Sequence, residues 1–286
     1  MDALLPRTLE EALEARAAHP EAAVVAGGTD LMVAVNFGRS RPAALLDLSR
    51  VESSQTWQRD NGRVFVGAGM TFARIARELR EFRPLVEASR SVGSPQIRNR
   101  ATIGGNLATG SPAGDSIPVL AAYDADVLLA SRARERRLPW HEFFLGPKQT
   151  ALAPDELIVG VEWRVVDAPG SFAKVGTRNA MVIAIAGMCL QLDPAGRTVR
   201  LALGSVAPTV VRAPEAESFA AGAIAWDEPE RGLPAAVATE FGRLAVSAAR
   251  PIDDVRASAA YRNHVVDVLA RRTLTWAIDD WRDGRC

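Results

Sequence analysis

The sequence predicts an α+β fold, and three observations predict it. Short β-branched runs alternate with helical periods through about the first 170 residues. Two Gly-Gly turns, Gly27-Gly28 and Gly104-Gly105, follow or adjoin strands and lead toward helices. From about Phe172 a hairpin pattern and two helical stretches take over. The 286 residues bury a large core as one large domain or two ordinary ones, with a soft boundary near residue 170.

The elements follow in order. Thr8 is an N-cap candidate, and Glu11 stands at the capping-box spacing behind it. Leu9, Ala12, Leu13 and Ala17 then form one apolar face, and His19-Pro20 stops the helix. Residues 22–26 read as a strand ending at Gly27-Gly28-Thr29-Asp30, a glycine turn with a polar cap leading into Leu31. Further strands are predicted at 43–48 and 64–66, and Thr71 caps a second helix with Phe72, Ile75, Ala76 and Leu79 in register. After Pro84 the chain reads as loop-rich through 93–99. Beyond the second Gly-Gly turn, Asp115 or Ser116 caps a short helix with Pro118 in its first turn, where a missing N–H costs little.

Strands are expected at 127–130 and 157–165. Residues 182–192 and 198–205 flank the hairpin signal Asp193-Pro194-Ala195-Gly196, and 208–232 read as loop. Two helices close the chain, near 234–248 and 258–281, the last with Tyr261, Val265, Val268, Leu269 and Arg272 in register.

Composition removes several function classes. Basic and acidic residues balance at 34 each, with a pI near 6.9, so the footprint of a general nucleic-acid binder is missing. The run Arg132, Arg134, Arg136, Arg137, interrupted by Glu135, reads as a solvated strand end or loop, with a partner contact as the alternative. Two cysteines, Cys189 and Cys286, supply neither a disulfide framework nor the thiolates of an iron–sulfur cluster or closed zinc site. Cys189 lies in an apolar run and reads as a core thiol, which fits a cytoplasmic location. No secretory signal follows Met1, and no stretch is long enough to span a bilayer.

The chemistry lies at the two Gly-Gly turns. Glycine permits positive φ and lets an anion approach without a Cβ in the way. Consecutive amides then point into one concavity, where a helix N-terminus adds partial positive charge. Thr29, Thr109 and Ser111 offer hydroxyls to phosphate oxygens, while Asp30 and Asp115 suit a ribose hydroxyl, backbone amides or a flavin donor. A single such turn is more often structural. Two, one with a string of hydroxyls, point to a dinucleotide without saying which.

Other motifs are weaker. Gly67-Ala68-Gly69 lacks the third glycine of a Rossmann fingerprint and reads as a plain turn. No Walker A lysine motif exists, and Gly110-Ser111-Pro112-Ala113-Gly114 is not a nucleophile elbow. His19, His141 and His264 are scattered and read as surface or capping residues. No catalytic residue and no metal ligand is assigned.

At these turns the sequence resembles the FAD-binding (medium) subunits of molybdenum hydroxylases, the family of the carbon monoxide dehydrogenase medium subunit and the xanthine dehydrogenase flavin domain. The matching residues are Val25-Ala26-Gly27-Gly28-Thr29-Asp30-Leu31 and Thr102-Ile103-Gly104-Gly105-Asn106, continuing to Ser111-Pro112 and Asp115. Support comes from Gly93-Ser94-Pro95-Gln96-Ile97-Arg98-Asn99, Asp155-Glu156-Leu157-Ile158, Lys174-Val175-Gly176 with Arg178, and the stretch from Tyr261-Arg262 to Arg272. The resemblance covers nearly the whole chain.

It implies an FAD-binding PCMH-type domain over 1–170, a clasp of two α/β lobes at about 1–55 and 56–170. A C-terminal α+β lobe over 171–286 would carry a three-stranded antiparallel sheet beside helices. It implies that residues 25–31 and 102–106 bind the FAD pyrophosphate, with Ala101 among the contacts. Thr109, Ser111 and Asp115 would continue them, Ile158 would pack near the adenine end, and Lys174 would lie near the isoalloxazine ring. For Lys174 the alternative is a surface lysine paired with a nearby carboxylate. With no histidine or cysteine in or beside either loop, the FAD is expected to be non-covalent.

The implied partners are a small subunit with [2Fe-2S] clusters and a large molybdopterin subunit, together a heterotrimer. This chain would take electrons from the clusters and pass them to NAD, a quinone or oxygen. Two other readings stay open at this point. One is a stand-alone PCMH-fold flavin oxidoreductase, which would want an acid or base facing the ring; Arg178, Asn179 and Tyr261 are poor candidates. The other is an assembly protein that has lost the cofactor, against which the intact glycines argue. The substrate of the complex belongs to another chain.

Overall fold

The computed structural model describes residues 2–285; the predicted roles of Met1 and Cys286 fall outside the described residues. In chain order the first elements are β1 (Asp2–Leu4), α1 (Leu9–Ala18), β2 (Ala23–Val25), α2 (Leu31–Asn36), β3 (Ala44–Asp47), β4 (Trp57–Asp60), β5 (Arg63–Gly67) and α3 (Phe72–Glu78). Four helices follow, α4 (Arg83–Ser91), α5 (Pro95–Arg98), α6 (Ile103–Thr109) and α7 (Ser116–Ala122). Next come β6 (Asp126–Ala130), β7 (Glu135–Pro139), α8 (Trp140–Phe143), β8 (Phe144–Gly146), β9 (Gln149–Thr150) and β10 (Leu157–Arg164). The last are β11 (Gly170–Val175), β12 (Ala186–Asp193), β13 (Thr198–Gly204), β14 (Val211–Arg212), α9 (Pro214–Ala223), α10 (Ala235–Ala248) and α11 (Ala259–Arg282).

These form two compact units, each drawn from separated stretches. The first holds the chain up to Ile75 with Ser94–Gly110 and Asp124–Arg164; the second holds Ala76–Gly93, Ser111–Tyr123 and the chain from Val165.

The first unit has two sheets. β1, β3 and β2 lie in that order and are parallel, which requires crossovers, and α1 and α2 supply them. Thr8 caps α1 by accepting the Glu11 amide at 3.1 Å. Glu11 reaches back to the Arg7 amide at 2.7 Å, one residue short of the capping-box partner. Ala12, Ala22, Ala44, Leu46, Val51 and Leu157 make a small core beneath this sheet. The second sheet is antiparallel, in the order β4-β5-β10-β6-β7. Its first hairpin turns at Asn61-Gly62, both at positive φ (49° and 72°), as a two-residue turn of this hand demands.

Arg136 on β7 clamps Glu156 through two bonds of 2.7 Å, and Glu156 also accepts the Ala153 amide at 3.0 Å. Burial opposes the Glu156 charge, but these donors outweigh it and hold the carboxyl below its usual range. The solvated reading of the arginine run therefore holds for Arg132 and Arg134, which are exposed, and fails for Arg136.

In the second unit β11-β12-β13-β14 form an antiparallel sheet, with α9, α10 and α11 packed on it. α4 lies against β11, and α7 against β12 and β13, which is why β12 is buried on both faces. Met188, Leu190, Leu201, Leu203, Phe241 and Leu274 are fully buried, each contributing about 1.5–3 kcal/mol. Cys189 is a buried free thiol, and burial pushes it well above its usual range.

Several expectations are corrected. Pro84 does not open a loop; it sits in the first turn of α4, where its missing N–H costs nothing. Residues 208–232 contain β14 and α9, which Pro214 likewise starts. The three-stranded sheet gains a two-residue fourth strand, and β12 begins at Ala186, not at 182. The buried face of α11 is rotated from the predicted one: Tyr261 is exposed, while Arg262 is only 3% exposed.

Arg262 is buried because it bridges backbone. Its Nη1 donates to the carbonyls of Ile185 and Ser205 and its Nη2 to Asp254, the last at 2.8 Å. The Arg256 amide, with Arg262 and the Ala257 amide, lowers the Asp254 carboxyl to about 2. A depressed carboxylate stabilises the fold above its unfolded pKa of about 3.9 and loses that effect as pH falls toward the folded value. The stability deficit of Asp254→Asn, read as a urea midpoint, is therefore expected at neutral pH and to vanish toward pH ~2; a constant deficit would contradict it. Arg262→Met should cost about 1–3 kcal/mol for each carbonyl left without a donor, by the same measurement.

Candidate functional site

The first Gly-Gly turn ends β2. A Cβ on Gly27 would stand 2.0 Å from the Arg100 carbonyl oxygen and 3.0 Å from Ala101 Cα, so only glycine lets this turn press against the chain entering α6. Gly28 adopts φ +73°. Beyond it, the amides of Gly27, Gly28, Thr29, Asp30 and Leu31 donate to nothing among the described residues. The first internal bond of this turn runs from Met32 N to the Gly28 carbonyl at 3.0 Å. Asp30 occupies the N-cap position of α2 without a side-chain capping bond. Val25 and Ala26 lead into the turn, half-buried, and Leu31 leaves it.

The second turn is built differently. Thr102 caps α6, accepting the Gly105 amide at 3.0 Å. The Ile103 amide bonds the Met70 carbonyl at 3.0 Å and the Gly104 amide the Ala68 carbonyl at 2.9 Å. A Cβ on Gly104 would lie 2.6 Å from Ala68 Cβ, so this glycine serves close packing against the segment after β5. Three amides at the start of α6 are thus already paired within the fold. Thr109 donates to the Gly105 carbonyl at 2.8 Å.

Between these turns lies a cavity of about 390 Å³, within the range of ligand pockets. Ala26, Gly104, Gly105 and Ile158 line it, the four sequence-predicted residues that it gathers. Apolar neighbours include Val24, Phe65, Leu152, Leu157 and Val159. Ala68 and Gly69 also form its wall, so Gly67-Ala68-Gly69 is more than a plain turn. Gly69 donates to the Ser54 carbonyl at 2.8 Å, and a Cβ there would meet Ser54 Oγ at 2.3 Å. The doubled glycine was the sequence signal for this wall. Leu152, Val24 and Phe65 carried no signal, because an apolar lining residue reads like any core residue.

Ser111, Asp115 and Lys174 belong to the second unit. Ser111 Oγ accepts the Ala113 amide at 3.3 Å. Asp115 does not cap α7; its Oδ2 meets Lys174 Nζ at 2.6 Å and the Ser91 hydroxyl at 2.9 Å. Lys174 also donates to the Ser91 carbonyl at 3.2 Å. The two charged side chains are 8% and 7% exposed, so Lys174 is a buried lysine with a carboxylate partner, not a surface one. Burial pushes the Asp115 carboxyl above its usual range, although Lys174 and Ser91 pull the other way. Arg178 folds back onto the Ala180 and Met181 carbonyls, and Tyr261 is exposed.

Comparison with known proteins gives the same picture from end to end. The family described as "FAD binding domain in molybdopterin dehydrogenase" matches residues 1–163, and "CO dehydrogenase flavoprotein C-terminal domain" matches residues 171–277. The nicotinate dehydrogenase FAD-subunit of Eubacterium barkeri is 33% identical over 206 residues, covering 67% of this chain and 69% of that one. The nicotine 6-hydroxylase medium subunit of Paenarthrobacter nicotinovorans is 30% identical over 284 residues, 95% of each chain. Among solved structures, carbon monoxide dehydrogenase from Hydrogenophaga pseudoflava superimposes with a TM-score of 0.85 at 25% identity, covering 97% of this chain and 98% of that one. Quinoline 2-oxidoreductase from Pseudomonas putida 86 shares the fold, with a TM-score of 0.88 at 24% identity and coverage of 99% and 98%. The chain therefore belongs to the family of FAD-binding subunits of molybdenum hydroxylases, and FAD is its cofactor.

Proposed function

We infer that this chain is the electron-transfer subunit of a xanthine/CO dehydrogenase-like complex, holding FAD non-covalently between a [2Fe-2S] partner and an external acceptor, NAD among the candidates. The observation that carries the reading is the run of five free amides at residues 27–31 beside an apolar cavity. A turn of consecutive donors around a left-handed glycine is a nest for an anion, and a pyrophosphate supplies one. The Thr29 hydroxyl adds a donor at the same bend. The cavity beside it, with Ile158 in its wall, suits the flat apolar faces of adenine.

In this reading residues 1–170 form the FAD-binding domain, with lobes at about 1–55 and 56–170, and 171–286 form the C-terminal domain. Ala101, Thr102, Ile103 and Asn106 act by holding α6 against the glycine turn, since the amides at the start of that helix are paired elsewhere. Ser111, Asp115 and Lys174 remain cofactor contacts on the strength of the resemblance, and Thr109 with them. A lysine kept out of water acts on nearby negative charge more strongly than a solvated one. FAD when bound supplies the ability to receive electrons singly and release them as a pair. The protein's part is to hold, orient and shield it.

A heterotrimer with [2Fe-2S] and molybdopterin subunits follows from the same reading, since this chain has two cysteines and no cluster of its own to supply electrons. No helix among the described residues is long and apolar enough to cross a membrane, and the cysteine usage fits the cytoplasm.

Two experiments test this. Gly28→Val should lower FAD affinity roughly tenfold or more, a loss of about 1.4 kcal/mol or greater, because a branched residue is strained at φ +73° and crowds the amides. The readout is flavin absorbance per protein, with a melting curve to confirm folding; full occupancy in a folded variant would remove the turn from the site. Affinity capture of the tagged chain from its native cells should bring down subunits bearing iron–sulfur clusters and molybdopterin. Recovery of a yellow chain alone would favour the stand-alone flavin oxidoreductase.

A further inference from the structure

Ser91 Oγ lies 2.7 Å from the Ala88 carbonyl and 2.9 Å from Asp115 Oδ2. A serine hydroxyl carries one hydrogen, and a carbonyl only accepts. While Asp115 is ionised its oxygens also only accept, so Ser91 satisfies one neighbour at a time. Once Asp115 is protonated, its O–H donates to Ser91 Oγ, the serine hydrogen turns to Ala88, and both contacts are hydrogen bonds. Lys174 serves either state, because its ammonium has three hydrogens and faces both Asp115 Oδ2 and the Ser91 carbonyl.

The surroundings suit a proton site. The ion pair is mostly shielded from water, and burial already favours the neutral carboxyl. α7, which starts beside Asp115, carries no charged side chain. On α4, Arg83 and Glu87 bond each other, and Glu87 also accepts the Phe172 amide. On β11 the charged residue is Lys174, β12 offers the buried Cys189, and Arg212 on β14 is bonded to Glu217. Lys174 is thus the charge that acts on Asp115 among the described residues.

We propose that Ser91 is a positioning residue whose hydroxyl turns between Asp115 and Ala88, making Ser91, Asp115 and Lys174 a site that takes up one proton when the flavin is reduced. This rests on the reading that Asp115 and Lys174 lie beside the cofactor. Reduction by two electrons and one proton leaves one negative charge in excess, and a further proton from solvent, bound at Asp115, balances it. No bond to the cofactor forms or breaks. The electrons come from the iron–sulfur partner in the complex, or from dithionite in a titration.

The test is the flavin midpoint potential of the FAD-loaded full chain, measured against reference dyes across a pH series. Extra proton uptake makes part of the potential-against-pH curve steeper. Ser91→Ala should shift that steep part along the pH axis, because the hydroxyl donates to the ionised carboxylate and accepts from the protonated one. Ser91→Thr, which keeps the hydroxyl, should restore it, and Asp115→Asn should abolish it. If Asp115→Asn changes the curve while Ser91→Ala superimposes on wild type, the role given to Ser91 is wrong and the cofactor reading stands. If Asp115→Asn also superimposes with FAD bound, the pair is not beside the flavin, and the reading beneath this one fails with it.

Discussion

Gly27 has no side chain, and its backbone lies so near Arg100 that a single methyl group would overlap the carbonyl. That approach brings the turn after β2 to the entrance of α6. It depends on what surrounds it: Ala101 fixes the start of α3 by accepting the Phe72 amide, and Ile103 and Gly104 tie α6 to the strand end at Ala68 and Met70. This backbone approach joins the small parallel sheet to the antiparallel one, alongside the core that Leu157 of β10 shares with Leu46 of β3. Between them stays an apolar hollow edged by donors.

Paired and free amides divide the work of two turns that look alike on paper. At α6 the donors are consumed by the fold, and Gly104 makes room for Ala68. At residues 27–31 the donors face no protein partner. An anion at the first turn therefore satisfies groups that the chain leaves open, whereas at the second it would compete with bonds already made. Binding should concentrate on the first and use the second as support. The second unit shows a related economy of charge, since Lys174 and Arg262 are both buried and both answered by an aspartate.

Much of this was legible in the residues. Thr8 and Thr71 cap helices as their spacing suggests. The resemblance read from the two Gly-Gly turns named FAD, and the family match bears that cofactor out. Three things were hidden. Proline marks helix starts as readily as helix stops, so the loop expected after Pro84 and the one expected over 208–232 each hold a helix that a proline opens. The predicted face of α11 ran through Tyr261 and Arg272 and left out Arg262, whose burial only long-range backbone acceptors at Ile185 and Ser205 explain. Asp115 looked like a cap, since nothing local reveals that its partners sit on α4 and β11.

The central claim is that the amides of residues 27–31 are the donors that hold the pyrophosphate. Hydrogen–deuterium exchange of the peptide spanning them, compared in apo and FAD-loaded protein, tests it most directly. The account predicts fast exchange in the apo chain and strong protection on loading, while amides at the start of α6 change little because they are bonded in both states. Unchanged exchange at 27–31 with FAD fully bound would contradict it.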